Sequence, residues 1–339
     1  MSWQARLWRI ALRLFVKREL ASHHATLASH VARTRAAFER GQWRYREIPA
    51  DIRIIPIDQA GVRGEWVLRD DVRYGERALL YVHGGAMVAS RPLGYRSITI
   101  ALARRLGVPV FAVDYRHAPE HPYPAALEDT LAAYHALRTR VPAAGLVIAG
   151  DSAGGNLALA ALLCLRERLG TPRPVAGIVA LSPWTDLASS GASIVANRYR
   201  DDTLALVPDD VAIAHAYAPP SRWREPFVSP LYGDYAGTPP LLVFASTTEM
   251  LLDDARALVA RVRAQGGIAT LVQGPGCRTR GLFTRSCPRR ATPSARLRTL
   301  SHVAGRRAHQ PQPERTMDEA GKCVLPALQL TGLGRTCNA

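Results

Sequence analysis

The chain has 339 residues, of which 47% are hydrophobic, and it carries a formal net charge of +16. This length can bury a sizeable core in one large domain or two small ones, and the apolar content excludes disorder over the whole chain. Residues 277–339 hold +9 of the charge, and the remaining body has no basic run interleaved with aromatic residues, so we expect no nucleic-acid partner.

The first twenty residues, MSWQARLWRIALRLFVKREL, form an amphipathic helical pattern. Arginines interrupt any signal-like apolar region, and no run reaches the roughly 18 apolar residues that span a bilayer. We expect a cap helix that packs on the body, with contact to a membrane surface as the alternative. Cys164 is the single cysteine before residue 277, which suits a reducing compartment, and we expect a cytoplasmic protein. The apolar stripe of this helix comprises Trp3, Leu7, Ile10 and Leu14.

Strand-like and helical patterns then alternate over two hundred residues, which predicts a mostly parallel sheet with helices on both faces. The apolar runs break at glycine or proline, as expected for buried strands and their loops. From about Cys277 this periodicity stops. In chain order the predicted strands are 53–58, 64–69, 78–82, 108–116, 145–150, 175–182, 239–246 and 268–272, and the predicted helices are 97–107, 124–141, 154–170 and 253–267.

The segment GDSAGGN, residues 150–156, lies where a buried strand meets a long apolar helix. A G-x-S-x-G sequence in that context is typical of a nucleophile elbow, in which glycines permit a tight turn and expose the serine. We therefore predict Ser152 as a catalytic nucleophile. The helix that follows supplies backbone N–H groups and the positive end of its dipole.

The segment HGGA, residues 83–86, follows the strand ALLYV. Acyl transfer requires N–H donors directed at an oxyanion, and glycines let the backbone approach closely. We predict that Gly84, Gly85 and Ala153 supply these donors. His83 precedes the loop, and we expect it to hold the loop by a hydrogen bond rather than to act as the base.

These segments, together with VDYRHAPEHPYPAALEDTLAAY, LSPWTDL and SPLYGDYAGTPPLLVFAST, resemble the bacterial hormone-sensitive-lipase-like (family IV) esterases of the α/β-hydrolase superfamily. The resemblance covers roughly residues 60–276. One departure is Ala86, where members usually have a third glycine, and alanine keeps its N–H. The resemblance implies an α/β-hydrolase fold with a helical cap, a Ser–acid–His triad, and neither a cofactor nor a metal.

The resemblance also implies a domain organisation. We expect N-terminal cap helices in residues 1–50, a hydrolase core in 51–276 and a cap insertion at about 185–235. Residues 277–339 depart from the family, and their composition predicts a disordered or poorly packed tail.

The acid should follow the strand LLVFAS, and the family's pattern favours Glu249. Asp253 is the alternative acid. Asp253 and Asp254 open the next helix, where carboxylates interact favourably with the dipole without any catalytic role.

The resemblance implies a histidine about thirty residues after the acid, and Thr279 stands at that position. His302 and His309 follow later, but isolated histidines in a polar segment are usually exposed, so neither is assigned. One choice of codons for Cys277–Gly281, read one base earlier, encodes Pro-His-Ala-Trp, which is the family's turn. We therefore hypothesise a one-base frame displacement near codon 276.

The sequence thus predicts a serine carboxylic-ester hydrolase that forms an acyl-enzyme on Ser152, with a small-molecule ester of short to medium acyl length as its partner. An alternative follows from the missing histidine: a catalytically impaired, hydrolase-like protein that binds a small molecule. The oligomeric state is not indicated by any pattern in the chain.

Overall fold

The computed structural model describes residues 26–39, 47–201 and 210–274. Its regular elements follow the predicted alternation of strands and helices. The strands are β1 (Ile52–Gln59), β2 (Val62–Arg69), β3 (Ala78–Val82), β4 (Val110–Val113), β5 (Leu146–Asp151), β6 (Gly177–Leu181), β7 (Leu241–Ser246) and β8 (Ala269–Gly274). The helices are α1 (Leu27–Glu39), α2 (Arg96–Leu106), α3 (Ala125–Arg138), α4 (Ala153–Leu169), α5 (Ala192–Ala196), α6 (Asp210–Tyr217) and α7 (Leu252–Ala264).

The eight strands form one sheet in the order β1-β2-β4-β3-β5-β6-β7-β8. β2 pairs antiparallel with both β1 and β4, and all other neighbours are parallel. Strands β3, β5, β6 and β7 are buried along their whole length, which explains why they are continuous apolar runs. The predicted mostly parallel sheet is confirmed.

Helices cover both faces of this sheet. Successive side chains of a strand point to opposite sides, so a buried apolar strand contributes to a core on each face. On β3, Leu79 and Tyr81 belong to a core cluster that includes Ile98 and Leu102 of α2. The intervening Leu80 belongs to a second, larger cluster shared with α3, α4 and α7. Helix α4 is buried from its first residue through Leu165, as its nearly uniform apolar sequence requires.

The register of the central strands brings their carboxyl ends to one edge of the sheet. Asp151 of β5 pairs with Leu181 of β6, which in turn pairs with Phe244 of β7. Ser246 of β7 pairs with Gly274 of β8. Parallel sheets of this kind place their ligands in the crevice outside these carboxyl ends. The loops after β3, β5, β6 and β7 therefore meet where the predicted site residues lie.

Helix α1 buries His30, Val31 and Thr34 and packs against α6. The apolar stripe predicted at the N-terminus lies outside the described residues, as does the whole predicted tail. Part of the predicted cap insertion is described: it contains α5, α6 and two 3₁₀ turns, Pro220–Arg222 and Pro230–Tyr232. Within the described ranges, no helix is long and apolar enough to cross a membrane.

Candidate active site

Ser152 occupies the turn between β5 and α4. Its backbone has φ +52° and ψ −120°, and its side chain is partly exposed, whereas its neighbours Asp151 and Ala153 are buried. A non-glycine residue with positive φ is uncommon and is held in place by the structure around it. Here the Ser152 N–H donates to the Leu181 carbonyl at 2.9 Å, and its carbonyl accepts from Asn156 and Trp184, both at 3.1 Å.

The glycines around Ser152 are required by close backbone contacts. A Cβ atom on Gly150 would lie 2.2 Å from the Gly154 carbonyl oxygen, and one on Gly154 would lie 2.1 Å from the Val82 carbonyl oxygen. A Cβ atom on Gly155 would meet Pro183 at 2.9 Å. Any larger residue at the first two positions would push the helix away from the sheet, because the obstacles are backbone atoms. The sequence GDSAGG thus allows α4 to begin directly against β3.

The loop that follows β3, residues 83–90, is called the β3 loop below. His83 at its start is fully buried and stacks on Tyr115, with ring centroids 4.2 Å apart. Its Nδ1 atom lies 2.8 Å from the Gly84 carbonyl oxygen; since a carbonyl can only accept, Nδ1 carries the proton and donates it. The Tyr115 hydroxyl donates to the His83 carbonyl at 2.9 Å. His83 therefore makes the loop-holding contact that the sequence predicted.

Gly84 does not fit its predicted role as an oxyanion donor. Its N–H donates to Oδ1 of Asp151 at 2.9 Å, and the Tyr81 hydroxyl donates to the same oxygen at 2.8 Å. A residue has one backbone N–H, and this one is directed at a buried carboxylate rather than at the crevice. Gly84 is nevertheless required, because a Cβ atom there would lie 2.6 Å from Oδ2 of Asp151.

Gly85 and the residues after it have an unusual backbone. Gly85 has φ +129°, and a Cβ atom there would lie 2.1 Å from the Ala89 carbonyl oxygen. Ala86, Met87 and Ser90 have φ values of +56°, +59° and +83°. Within the part of the chain that the structure describes, the N–H groups of Gly85 and Ala86 donate to no protein acceptor. These two N–H groups, which directly follow the bound Gly84, are therefore available to a ligand.

Glu249 is buried in the loop after β7. Its Oε2 atom accepts a hydrogen bond from the Ser182 hydroxyl and another from the Ser246 N–H at 2.7 Å. The Asn197 side-chain amide donates to its main-chain carbonyl at 2.9 Å. These contacts fix both the carboxylate and the backbone of Glu249 at the carboxyl edge of the sheet.

The two neighbouring aspartates have structural partners instead. Asp253 accepts from the Ser193 N–H at 2.8 Å and pairs with Arg256 at 3.2 Å. Asp254 accepts from the N–H groups of Thr185 and Asp186 at 2.7 and 3.0 Å. Burial raises the pKa of Asp254 to about 7, although these donors oppose the shift. Both aspartates therefore join α7 to the chain that follows β6.

The segment after β6 links Ser152 to Glu249, a role that the sequence did not reveal. The Ser182 hydroxyl donates to Oε2 of Glu249, and the Trp184 N–H donates to the Ser152 carbonyl. Asn156 completes the connection, since its side-chain amide donates to the Trp184 carbonyl at 2.9 Å. Ser182 and Trp184 belong to the segment LSPWTDL, so the only sequence signal was their place in a family-like stretch.

A family model described as an alpha/beta hydrolase fold matches residues 79–278, which is more than half of the chain. The chain is 38% identical over 245 residues to an acetyl-hydrolase of Streptomyces hygroscopicus, covering 71% of this chain and 79% of that protein. It is also 35% identical over 206 residues to an esterase of Acinetobacter venetianus, covering 60% of this chain and 67% of that protein.

Among solved structures, an esterase from the bacterial hormone-sensitive lipase family superposes with a TM-score of 0.72 at 32% identity, covering 87% of this chain and 95% of that one. The chain belongs to the bacterial hormone-sensitive-lipase family of α/β hydrolases. The predicted α/β-hydrolase fold and the predicted family are thereby confirmed.

In this hormone-sensitive-lipase family member, the position predicted for a histidine base lies outside the described residues. Thr279, where the resemblance implies a histidine, follows the end of β8 by five residues, and both His302 and His309 also fall beyond Gly274. Strand β8 ends close to the loop of Glu249, since the Thr247 N–H donates to the Gly274 carbonyl at 3.2 Å.

Proposed function

We propose that the protein hydrolyses carboxylic esters of short to medium acyl length through an acyl-enzyme on Ser152. Membership of the hormone-sensitive-lipase family places the chain among the carboxylic-ester hydrolases. The observation that carries the serine mechanism is the backbone of Ser152, whose positive φ is enforced between Gly150 and Gly154 at the start of α4. A strained and partly exposed serine at the end of a buried strand fits a nucleophile.

In the proposed reaction, Oγ of Ser152 attacks the acyl carbon, and the serine proton passes to a base. Negative charge then develops on the former carbonyl oxygen, where preorganised N–H donors stabilise it. We assign Gly85 and Ala153 to this role, as the sequence predicted. We assign Ala86 as the third donor, in place of the predicted Gly84. The reason for this replacement is the hydrogen bond from Gly84 to Asp151.

Collapse of the tetrahedral intermediate breaks the bond to the alcohol oxygen, which receives the proton from the base. Water then attacks the acyl-Ser152 ester, the base takes a proton from that water, and the acid product leaves as Ser152 regains its proton. Glu249 orients the base and stabilises its protonated form. Its buried carboxylate, held by Ser182 and Ser246, suits this role better than Asp253, whose carboxylate contacts Ser193 and Arg256.

A second candidate function is supported by residues 277–281. Cys-Arg-Thr-Arg-Gly replaces the family's turn, so the chain as written has no histidine at the expected place. A hydrolase-like body without a base would retain its crevice and its N–H donors, and it could bind a small molecule without turning it over. This alternative and the hypothesis of a displaced reading frame make opposite predictions for the gene.

The first experiment is therefore to resequence codons 265–300 and, in parallel, to assay the purified chain with p-nitrophenyl acetate and butyrate. Ser152→Ala is the test variant, and Ser190→Ala is its matched control, since Ser190 contacts Asp186 rather than the elbow. Turnover that vanishes only in Ser152→Ala supports the esterase. Equal turnover in both variants contradicts it, and ligand-induced stabilisation without turnover supports the binding protein.

A further inference from the structure

Arg35 of α1 reaches two loops that belong to the hydrolase core. Its Nε–H donates to the Val88 carbonyl at 2.8 Å, and Nη2 donates to the Ala118 carbonyl at 3.1 Å. Val88 lies in the β3 loop, only two residues after Ala86. One side chain of the N-terminal helix thus contacts the segment whose N–H groups we assign to the oxyanion.

A carboxylate holds this guanidinium in place. Glu120 accepts from Nη1 of Arg35 at 2.8 Å and from Nη2 at 2.5 Å. The same ion pair lowers the pKa of Glu120 to about 2 and raises the pKa of Arg35. The planar guanidinium therefore makes a bidentate pair on one side and donates to main-chain carbonyls on the other, a geometry that lysine cannot reproduce.

The β3 loop has few internal contacts to fix its shape. Two backbone hydrogen bonds form within the loop, from the Val88 and Ala89 N–H groups to the Gly85 carbonyl, at 3.1 and 3.0 Å. The positive φ values of Ala86 and Met87 are conformations that a chain leaves unless its surroundings hold it there. Contacts from outside supply that hold: the Ala118 N–H donates to the Met87 carbonyl at 2.9 Å, and Arg35 binds the carbonyl of the next residue.

We propose that Arg35 is a positioning residue for the reaction: by tying α1 and the segment around Ala118 to the β3 loop, it sets the position of the Gly85 and Ala86 N–H groups. Its catalytic consequence rests on the proposed esterase function, whereas the tether itself is a property of the fold. Arg35 touches neither substrate nor reacting atoms and acts only through the loop.

An ordinary surface ion pair is the competing explanation. Such pairs contribute little to stability where solvent reaches them, and the Arg35 and Glu120 side chains are 33% and 55% exposed. The two carbonyl acceptors distinguish the alternatives, because a simple ion pair would not involve the β3 loop. A matched reference exists in Arg104, which makes a bidentate pair with Asp51 at 43% and 47% exposure on the far edge of the sheet.

The test compares Arg35→Met, Arg35→Lys and Glu120→Gln with Arg104→Met in the full chain. Amide hydrogen exchange reports on the loop through the Val88 and Ala89 N–H groups, and p-nitrophenyl acetate hydrolysis reports kcat and KM separately. In Arg35→Met we expect exchange at these amides to rise ~10-fold or more and kcat to fall ~10-fold with little change in KM, because small misplacements of catalytic groups mainly slow the chemical step. Arg35→Lys should recover only part of this loss.

Glu120→Gln should have a smaller effect than Arg35→Met, since it leaves both carbonyl contacts of Arg35 in place. Loop exchange in Arg35→Met equal to that in Arg104→Met would overturn the proposal, as would faster exchange with unchanged kcat. If the wild-type chain hydrolyses no ester, that result counts against the proposed function, and hydrogen exchange alone then decides whether Arg35 holds the loop.

Discussion

The Ser182 hydroxyl donates a hydrogen bond to Oε2 of Glu249, across 67 residues of sequence. Both side chains are buried, so this contact joins the loops after β6 and β7 where solvent cannot replace it. Removing the Ser182 hydroxyl should be costly for stability, because a buried acceptor that loses its donor keeps the full cost of desolvation.

Ser182→Ala should therefore lower the free energy of unfolding by about 1–3 kcal/mol. Urea denaturation measures this change directly. Ser190→Ala is the control, because Ser190 donates to Asp186 at a partly exposed position, where water can take the place of the hydroxyl. Equal losses in the two variants would show that the Ser182 contact has no special weight.

Gly154→Ala should destabilise the fold severely, by about 3 kcal/mol or more, because the new methyl group overlaps main-chain atoms. Its Cβ would lie 2.1 Å from the Val82 carbonyl oxygen and 2.5 Å from that of His83. Gly75→Ala is the matched control, since no atom lies within 4 Å of a Cβ at that position, and it should change stability by no more than about 0.5 kcal/mol. A stable Gly154→Ala protein would argue against this packing of α4 on β3.

Asp254 should make stability depend on pH in a defined window. Burial raises its folded-state pKa from 3.8 to about 7, so the folded protein retains a proton that the unfolded chain releases between these values. Stability relative to Asp254→Asn should therefore fall as pH rises from 4 to 7, by up to about 1.4 kcal/mol per pH unit, and should level off above pH 7. Urea unfolding of both proteins at pH 5, 6, 7 and 8 tests this. A difference in unfolding free energy between them that stays constant with pH would refute it.

The two candidate acids can be separated by activity. Glu249→Gln should lower kcat by ~10²-fold or more where a histidine base operates, because the amide cannot stabilise the protonated imidazole. Asp253→Asn should leave kcat within about twofold, since Asp253 contacts Ser193 and Arg256 at the start of α7. The measurement is steady-state hydrolysis of p-nitrophenyl acetate. A chain whose slow turnover is indifferent to both substitutions would have no base that depends on Glu249.

Much of the fold could be predicted because the central strands are short apolar runs that end at glycine, serine or histidine. β3 coincides with its predicted range, 78–82, whereas β4 is only Val110–Val113 of the predicted 108–116. The pairing partner sets this end: β4 pairs with β2 only from Val110 to Val113, and the next N–H, that of Asp114, donates to the carbonyl of Arg63 near the start of β2. Such a termination depends on which strands are adjacent, and periodicity contains no information about sheet order.

The candidate site was likewise only partly predictable from the sequence. The positions of Ser152 and Glu249 after buried strands could be predicted from their local patterns, and their catalytic roles stay predictions. The contacts of Gly84 with Asp151 and of Arg35 with Val88 could not, since they join residues 67 and 53 positions apart. A local motif shows that an N–H is available near a strand end, but only the tertiary structure shows which distant carboxylate already accepts from it.

The exit of the chain from β8 has a practical consequence for protein engineering. Gly274 pairs with Ser246 at the sheet edge, and its carbonyl accepts from Thr247, two residues before Glu249. Five residues of chain extend at most about 17 Å, so a histidine introduced five residues after Gly274 would be confined to that radius around the end of β8. Exchanged carboxy-terminal segments would therefore all begin at the same point of the hydrolase core, and their length and sequence would set where a histidine falls.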